Sequence, residues 1–377
     1  MEKYIVPGLP TPYFVVDESF LIKNLEILKS VCDRAGCKIL LAQKAFSMYR
    51  TYPLISRYLY GTTASGLHEA RLGKEEFPGE THVFSPAYRE DEFEELLTYA
   101  DHFVFNSPRQ VEKFGMRAKK AGKQIGLRIN PQCSTQEGHE IYDPCADGSR
   151  LGTTLANFDP KQVEILDGLH FHTLCEQNSD DLETTVIEFE KKFGKYLHSM
   201  KWLNLGGGHH ITRKDYDIEK LINIVKGLKK KYNVEVYLEP GEAVVLNAGF
   251  LVTSVMETFN NVIDVAIVDT SAACHMPDVI EMPYRPPLYN SGESGEKKYT
   301  YRLGGPTCLA GDVIGDYSFD EPLKEGDKLI FEDMALYTMV KTNTFNGMKL
   351  PSIVYRKKDG SFELVRSFTY EDFKSRL

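Results

Sequence analysis

Residues 102–130 read HFVFNSPRQVEKFGMRAKKAGKQIGLRIN. An apolar run, HFVFN (102–106), opens the stretch and a second, QIGLRIN (124–130), closes it. Between them, Pro108–Ala121 begins on proline and is followed by Gly122, the punctuation of a helix. Two buried strands joined by a helix make a βαβ unit, whose crossover requires parallel strands. The same alternation continues in both directions. KILLAQ (38–43), TTAS (62–65) and HVFS (82–85) lie upstream; GLHFHTL (168–174), WLNLGG (202–207) and EVYLEP (235–240) lie downstream. Further helices are predicted over Phe20–Ala35, Glu90–Ala100, Pro160–Asp167, Asp180–Met200 and Tyr216–Tyr232. The connection from Pro131 to Leu155 is long and polar, with no clear helix. Eight short strands alternating with helices fit a closed (β/α)8 TIM barrel over residues 18–245 better than an open sheet.

Beyond Val245 the texture changes. Strand-like runs dominate: FLVTSVMETF, VIDVAIVD, KYTYRLGG, KLIFEDM, TMVKT, SIVYR and FELVRS, with Pro- and Gly-rich turns over Met282–Gly295. A C-terminal β domain over 246–377 is predicted, joined by an N-terminal strand, PYFVVD (12–17), from segment 1–17. The 42% hydrophobic and 26% charged content of the 377 residues excludes a disordered or fibrous chain. Forty-five basic against 54 acidic residues give a net charge of −9, the wrong balance for a nucleic-acid binder. The longest apolar stretch, Ala243–Val255, is broken by Asn247, Gly249, Thr253 and Ser254 and is too short for a bilayer. Seven cysteines without C-x-x-C spacing point to free thiols in a reducing cytoplasm, not to a disulfide framework or structural zinc.

Barrel enzymes build their sites at the C-terminal ends of the strands. Lys44 follows the first strand in LLAQKAF, where desolvation would lower its pKa and ready the amine for a Schiff base. His170 and His172 alternate by two in the sixth strand and so share one face. Gly206, Gly207 and Gly208 follow the seventh strand, where backbone N–H groups can approach an anion. Glu239 ends the eighth, in LEPGE, as a metal ligand, a general base or the partner of a ring nitrogen. The HxH pair leaves a zinc-dependent hydrolase open, with His209 and His210 as further ligands.

Taken together, these residues resemble the fold type III pyridoxal-phosphate decarboxylases, which include the ornithine, arginine and diaminopimelate enzymes. The likeness runs from TPYFVVD (11–17) to TFNG (344–347). It implies an alanine-racemase-like barrel, a C-terminal β domain, pyridoxal 5′-phosphate as cofactor, and a head-to-tail homodimer with shared active sites. By this resemblance Lys44 carries the cofactor, His172 stacks on its ring, Gly206–Gly208 meet its phosphate and Glu239 pairs with its ring nitrogen. Cys308 in GPTCLAGD (305–312) is the partner-contributed proton donor, with Asp312 in the same motif, and Tyr337 in FEDMALYT reaches the phosphate.

The sequence also departs from the family pattern. EPGE stands where EPGR is usual, so Glu242 replaces a phosphate-contacting arginine, and Cys175 stands at a phosphate-binding serine. Leu309 replaces the glutamate that diaminopimelate enzymes carry after the cysteine. The combination LHFHTLCE, EPGEA, HMPDVIEMPYRP and GPTCLAGDVIGDY is similar to the polyamine-forming branch, whose amino-acid substrates have a cationic tail. Acidic or hydrogen-bonding groups should receive that tail: Glu176, His275, Asp278 and Glu281 are candidates, with His275 and Asp278 the preferred pair, and Glu239 and Asp312 complete the expected substrate site. Within the enzyme reading the runner-up is another amino-acid decarboxylase of this family, such as diaminopimelate decarboxylase; a non-catalytic cofactor carrier of the single-barrel type is the other alternative, and the β domain and the Cys308 motif argue against it.

Overall fold

The computed structural model describes residues 2–136 and 143–377. The chain divides into two units, Asn24–Val244 and Met1–Lys23 with Val245–Leu377.

In the first unit a closed barrel runs through eight parallel strands. They are β2 (Lys38–Ala42), β3 (Gly61–Ala64), β4 (Glu80–Phe84), β5 (His102–Phe105), β6 (Gln124–Arg128), β7 (Gly168–His170), β8 (Trp202–Asn204) and β9 (Glu235–Leu238), following β1 (Tyr13–Asp17) in the other unit. All eight predicted strands are present, but several stop short of their predicted ends. β7 has only three residues, so His172 lies beyond the strand and does not share a pleat with His170. Helices occupy Glu18–Ala35, Glu90–Tyr99, Ser179–Leu197 and Ile218–Tyr232, close to prediction. The predicted helix at Pro108–Ala121 is a helical run whose middle, Val111–Gly115, is wound as a π-helix. Pro160–Glu164 is a 3-10 turn, and Leu67–Glu76 is a helix that the sequence reading did not assign. In the predicted loop from Pro131 to Leu155, residues 137–142 lie outside the described ones.

The single tryptophan, Trp202, fills the barrel interior with Leu40, Val104 and Tyr237. It fits because β6 and β7 offer no side chain opposite it. A Cβ on Gly126 or Gly168 would come within 2.2 or 2.0 Å of the indole.

The second unit is an eight-stranded sheet. Its other strands are β10 (Gly249–Asn261), β11 (Ile263–Val268), β12 (Tyr299–Gly304), β13 (Val313–Phe319), β14 (Lys328–Glu332), β15 (Ser352–Arg356) and β16 (Phe362–Arg366). β1 lies inside it, antiparallel to β10 and parallel to β15, and all five of its residues are buried. That explains the unbroken apolar run YFVVD, since a strand covered on both faces need not alternate. β10 pairs with β1 and β14 over its first half and, past an irregularity at Val255/Glu257, with β11 over its second. The predicted strand TMVKT (338–342) is a turn instead, and VIGDYSF, unassigned from sequence, is β13.

Candidate active site

The C-terminal ends of the barrel strands gather the expected polar residues, together with one the sequence reading missed. Lys44 lies just past β2. Its side chain is exposed by area, yet protein atoms crowd it closely enough to pull its pKa below the ordinary lysine value, mainly by desolvation and then by the charge of Arg128. A side chain both accessible and desolvated projects into a concavity, not outward into bulk water. Among the described residues, no hydrogen bond or ion pair holds its ammonium.

Glu239, immediately after β9, is buried and accepts from Asn204 Nδ2 at 2.8 Å, with His170 Nε2 at 3.2 Å. Burial alone would raise the pKa of this carboxyl; His170, through its hydrogen bond and its charge, then the charge of His82 and the hydrogen bond from Asn204 outweigh it and hold it down to about 2. Burial lowers the His170 pKa, and its Nδ1 is buried without a partner. His170 Nε2 and Asn204 Nδ2 thus both face an ionised Glu239.

His172 follows two residues later and is turned elsewhere. Its Nδ1 lies 3.1 Å from both the N–H and the carbonyl oxygen of Gly207. Desolvation, with the charges of Lys44 and Arg128, holds its pKa well below the usual histidine range, so the ring is neutral.

The glycine run is explained first by close approach. Gly206 and Gly208 have φ of +71° and +80°, and a Cβ on either would meet a backbone carbonyl oxygen, that of Phe171 at 2.4 Å or of Leu174 at 2.0 Å. The run does not present three free donors. Gly206 N–H goes to Asn204 Oδ1 at 2.8 Å and Gly207 N–H faces His172, which leaves the Gly208 and His209 amides without a protein acceptor among the described residues.

Arg128, the last residue of β6, was missed. It is 3% exposed, donates to the His172 carbonyl at 3.0 Å and lies over the Phe84 ring at 4.6 Å. Burial lowers its pKa to about 10, leaving it cationic at neutral pH. An arginine inside the apolar run QIGLRIN was the available signal. Cys175 is half-buried, and burial followed by the charges of Glu242 and Glu176 pushes its thiol up to about 11. Glu176 is exposed, at φ 54°.

The HxH zinc alternative fails on geometry, because His170 is committed to Glu239 and His172 to Gly207. A group spaced like metal ligands among the described residues is Glu80, His82 and His102, at the starts of β4 and β5. There Lys38 Nζ (2.5 Å) and Tyr237 OH (2.9 Å) already occupy the carboxylate. The two imidazoles stack at 3.9 Å and 17°, so their lone pairs run side by side and do not converge.

In the sheet unit three residues expected at the substrate site already have partners within the chain. His275 is fully buried; its Nδ1 meets Thr270 Oγ1 (3.0 Å) and Ser271 N–H (3.2 Å), and its Nε2 the Lys349 carbonyl (3.1 Å). Both of its ring nitrogens are thus used within the sheet unit. Asp278 is paired with Lys341, which also reaches Glu281 at 3.3 Å, so its charge is already met. Asp312 is buried and faces its own loop. Cys308 is exposed, and Tyr337 is half-buried at φ 50°.

The residues at the strand ends fit pyridoxal 5′-phosphate. They offer an accessible, desolvated amine, an ionised carboxylate held by His170 and Asn204, a neutral imidazole and two unclaimed amides. Residues 13–335 match the family model described as pyridoxal-dependent decarboxylase, C-terminal sheet domain. The chain is 43% identical over 379 residues to a carboxynorspermidine/carboxyspermidine decarboxylase of Campylobacter jejuni, covering 98% of each chain. It is 41% identical to a carboxyaminopropylagmatine decarboxylase of Synechocystis, over 100% of this chain and 98% of that one. The crystal structure of C. jejuni carboxynorspermidine decarboxylase complexed with norspermidine superimposes with a TM-score of 0.92 at 42% identity, covering 98% of this chain and 100% of that one. An eight-stranded barrel with a desolvated lysine past its first strand, a separate sheet unit and these full-length likenesses lead to one assignment: the chain belongs to the pyridoxal-dependent decarboxylases.

Proposed function

We propose that the protein decarboxylates carboxynorspermidine and carboxyspermidine, releasing CO2 and forming norspermidine and spermidine. The observation that carries this reading is the 43% identity, over nearly the whole of both chains, to a decarboxylase of those two substrates. Leu309 supports it, since a leucine after Cys308 offers no carboxylate to the distal ammonium of diaminopimelate.

Pyridoxal phosphate, when bound, supplies the electron sink that takes up the pair left as the carboxylate carbon departs. The remaining work belongs to the chain's own groups. Lys44 carries the cofactor, and its depressed pKa keeps a larger share of neutral amine available than an ordinary lysine has. Glu239 holds a proton on the ring nitrogen by its negative charge. His172 lays a neutral, flat face against the ring, its orientation fixed by Gly207. The Gly208 and His209 amides receive the phosphate in place of the arginine that Glu242 replaces. Cys308 of a second copy of the chain delivers its thiol proton to the substrate's α-carbon. Glu176, exposed beside Cys175, is the remaining barrel acid for the cationic tail.

We further propose a homodimer with active sites shared between copies. Free thiols at all seven cysteines support a reducing compartment such as the cytoplasm. Among the described residues no helix is long and apolar enough to cross a membrane. The test is CO2 release from purified holoenzyme with carboxynorspermidine, carboxyspermidine, carboxyaminopropylagmatine and diaminopimelate. Preference for the first two is expected; preference for either of the others overturns the substrate assignment. For the shared site, mixing inactive Lys44→Ala and Cys308→Ala protomers should restore part of the activity. No recovery despite demonstrated subunit exchange would refute it.

A further inference from the structure

We propose that Asp312 is a positioning residue that fixes the Cys308 thiol, acting through Thr307. The proposal rests on the reading of Cys308 as proton donor. The loop between β12 and β13, GPTCLAGD (305–312), is exposed from Cys308 to Gly311, yet Asp312 at its end is only 4% exposed. A buried carboxylate persists where donors meet its lone pairs. Here Ser271 Oγ–H lies 2.9 and 3.0 Å from the two oxygens, and the Ala273 N–H lies 3.2 Å from Oδ1. Thr307 gives Oδ2 both its hydroxyl, at 2.6 Å, and its N–H, at 3.3 Å. Gly305 makes room for this, since a Cβ there would come within 2.4 Å of the carboxylate.

Ser271 is also the N-cap of the short helix Ala272–His275, accepting from Cys274 N–H. Asp312 therefore ties the residue before Cys308 to the start of that helix. A second tie holds Cys308 directly, because its own N–H donates to Asn346 Oδ1 at 2.8 Å. The Asn346 turn returns to the same helix: Cys274 Sγ–H donates to the Phe345 carbonyl, and Asn343 Nδ2–H to the Ala273 carbonyl at 2.8 Å. Cys308 thus stands on an otherwise solvent-facing loop between two anchors that share one base. A proton donor works only within hydrogen-bond reach of its acceptor atom, and a displacement of about 1 Å can cost about a hundredfold in rate. This arrangement assigns Asp312 to the loop's own architecture, where the sequence suggested a substrate contact.

The test uses holoenzyme carrying Asp312→Ala, Asp312→Asn, Thr307→Val or Cys308→Ala, and the double variant Asp312→Ala/Cys308→Ala. Asp312→Ala should lower kcat about ten- to a hundredfold with KM and cofactor absorbance held within about twofold. Asp312→Asn, which keeps one acceptor oxygen, and Thr307→Val, which removes one donor, should fall in between. In the Cys308→Ala background, Asp312→Ala should add less than about twofold, because the thiol it positions is gone. The second readout is independent of turnover: the rate of Cys308 alkylation by iodoacetamide, mapped by peptide mass. It should change at least about threefold in Asp312→Asn and Thr307→Val, while Cys175 alkylation stays constant. If Asp312→Ala does not fold, these two milder variants carry the test. An undiminished effect of Asp312→Ala in the double variant, or unchanged kcat and alkylation in Asp312→Asn and Thr307→Val, overturns the positioning role. Full kcat in Cys308→Ala overturns instead the proton-donor reading, and the alkylation rates still report whether Asp312 holds the loop.

Discussion

The two ends of the barrel strands carry the same kinds of side chain and put them to opposite uses. At the N-terminal ends, Lys38, Glu80, His82, His102 and Tyr237 form a closed set. Lys38 and Tyr237 donate to Glu80, His82 Nε2 lies 3.1 Å from the same carboxylate, and the two imidazoles stack. At the C-terminal ends, Lys44, Arg128, His170, His172 and Glu239 form an open set. Glu239 is held ionised by His170, His82 and Asn204, and the Lys44 ammonium is held by no ion pair or hydrogen bond among the described residues. A lysine and a glutamate that neutralise each other stabilise a structure; kept apart in a desolvated space, they remain available for chemistry. TIM barrels in general divide stability and catalysis between these two faces.

The contrast can be broken most sharply at Lys44. Lys44→Ala should lower kcat at least about a thousandfold, about 4 kcal/mol, while leaving thermal stability of the cofactor-free protein nearly unchanged. Borohydride reduction of the holoenzyme should place the cofactor on the peptide containing Lys44, and label on another lysine would refute its role. Glu239→Gln comes next, with an expected loss of about ten- to a hundredfold in kcat and an altered cofactor absorbance, because the amide cannot hold the ring proton by charge. At the other end the same type of change should act on stability alone. Lys38→Met removes a donor from Glu80, and unfolding by denaturant should show a loss of about 1–2 kcal/mol with kcat unchanged. That is below the cost of breaking a fully buried pair, since both side chains retain roughly a quarter to a third of their exposure.

The smallest effect sharpens the comparison through pH. Burial, then the adjacent His82, depresses His102 from 6.5 to about 3. Below pH 6.5 the unfolded chain binds a proton at this position that the folded chain does not. The contribution of His102 is therefore complete above pH 6.5 and is lost as pH falls toward 3, with a slope of at most about 1.4 kcal/mol per pH unit. His102→Gln should flatten stability against pH between 6.5 and the onset of carboxylate titration near 4.5. An unchanged slope would show that His102 is protonated normally.

Much of this was legible in the chain as written. Short apolar runs, helix punctuation at Pro108 and Gly122, and the change of texture near Val245 are local signals, so the barrel strands and the shift to a sheet could be read from short windows. Lys44, the glycine run and Glu239 could be singled out for the same reason, since each directly follows a strand that announces itself. The failures share a different cause. TMVKT is a turn with no strand partner among the described residues, while VIGDYSF pairs with β12. His170 and His172 are two residues apart, but their roles were decided by Glu239 and Gly207, 69 and 35 residues away. His275, Asp278 and Asp312 looked like free polar groups until Lys349, Lys341 and Ser271 proved to be their partners. The sequence determined where backbone turns and which residues stand at strand ends, because propensity and periodicity act between neighbours. Only the tertiary structure decided which of those groups are already paired, because a hydrogen bond or an ion pair depends on distance in space, and separation along the chain carries no record of it.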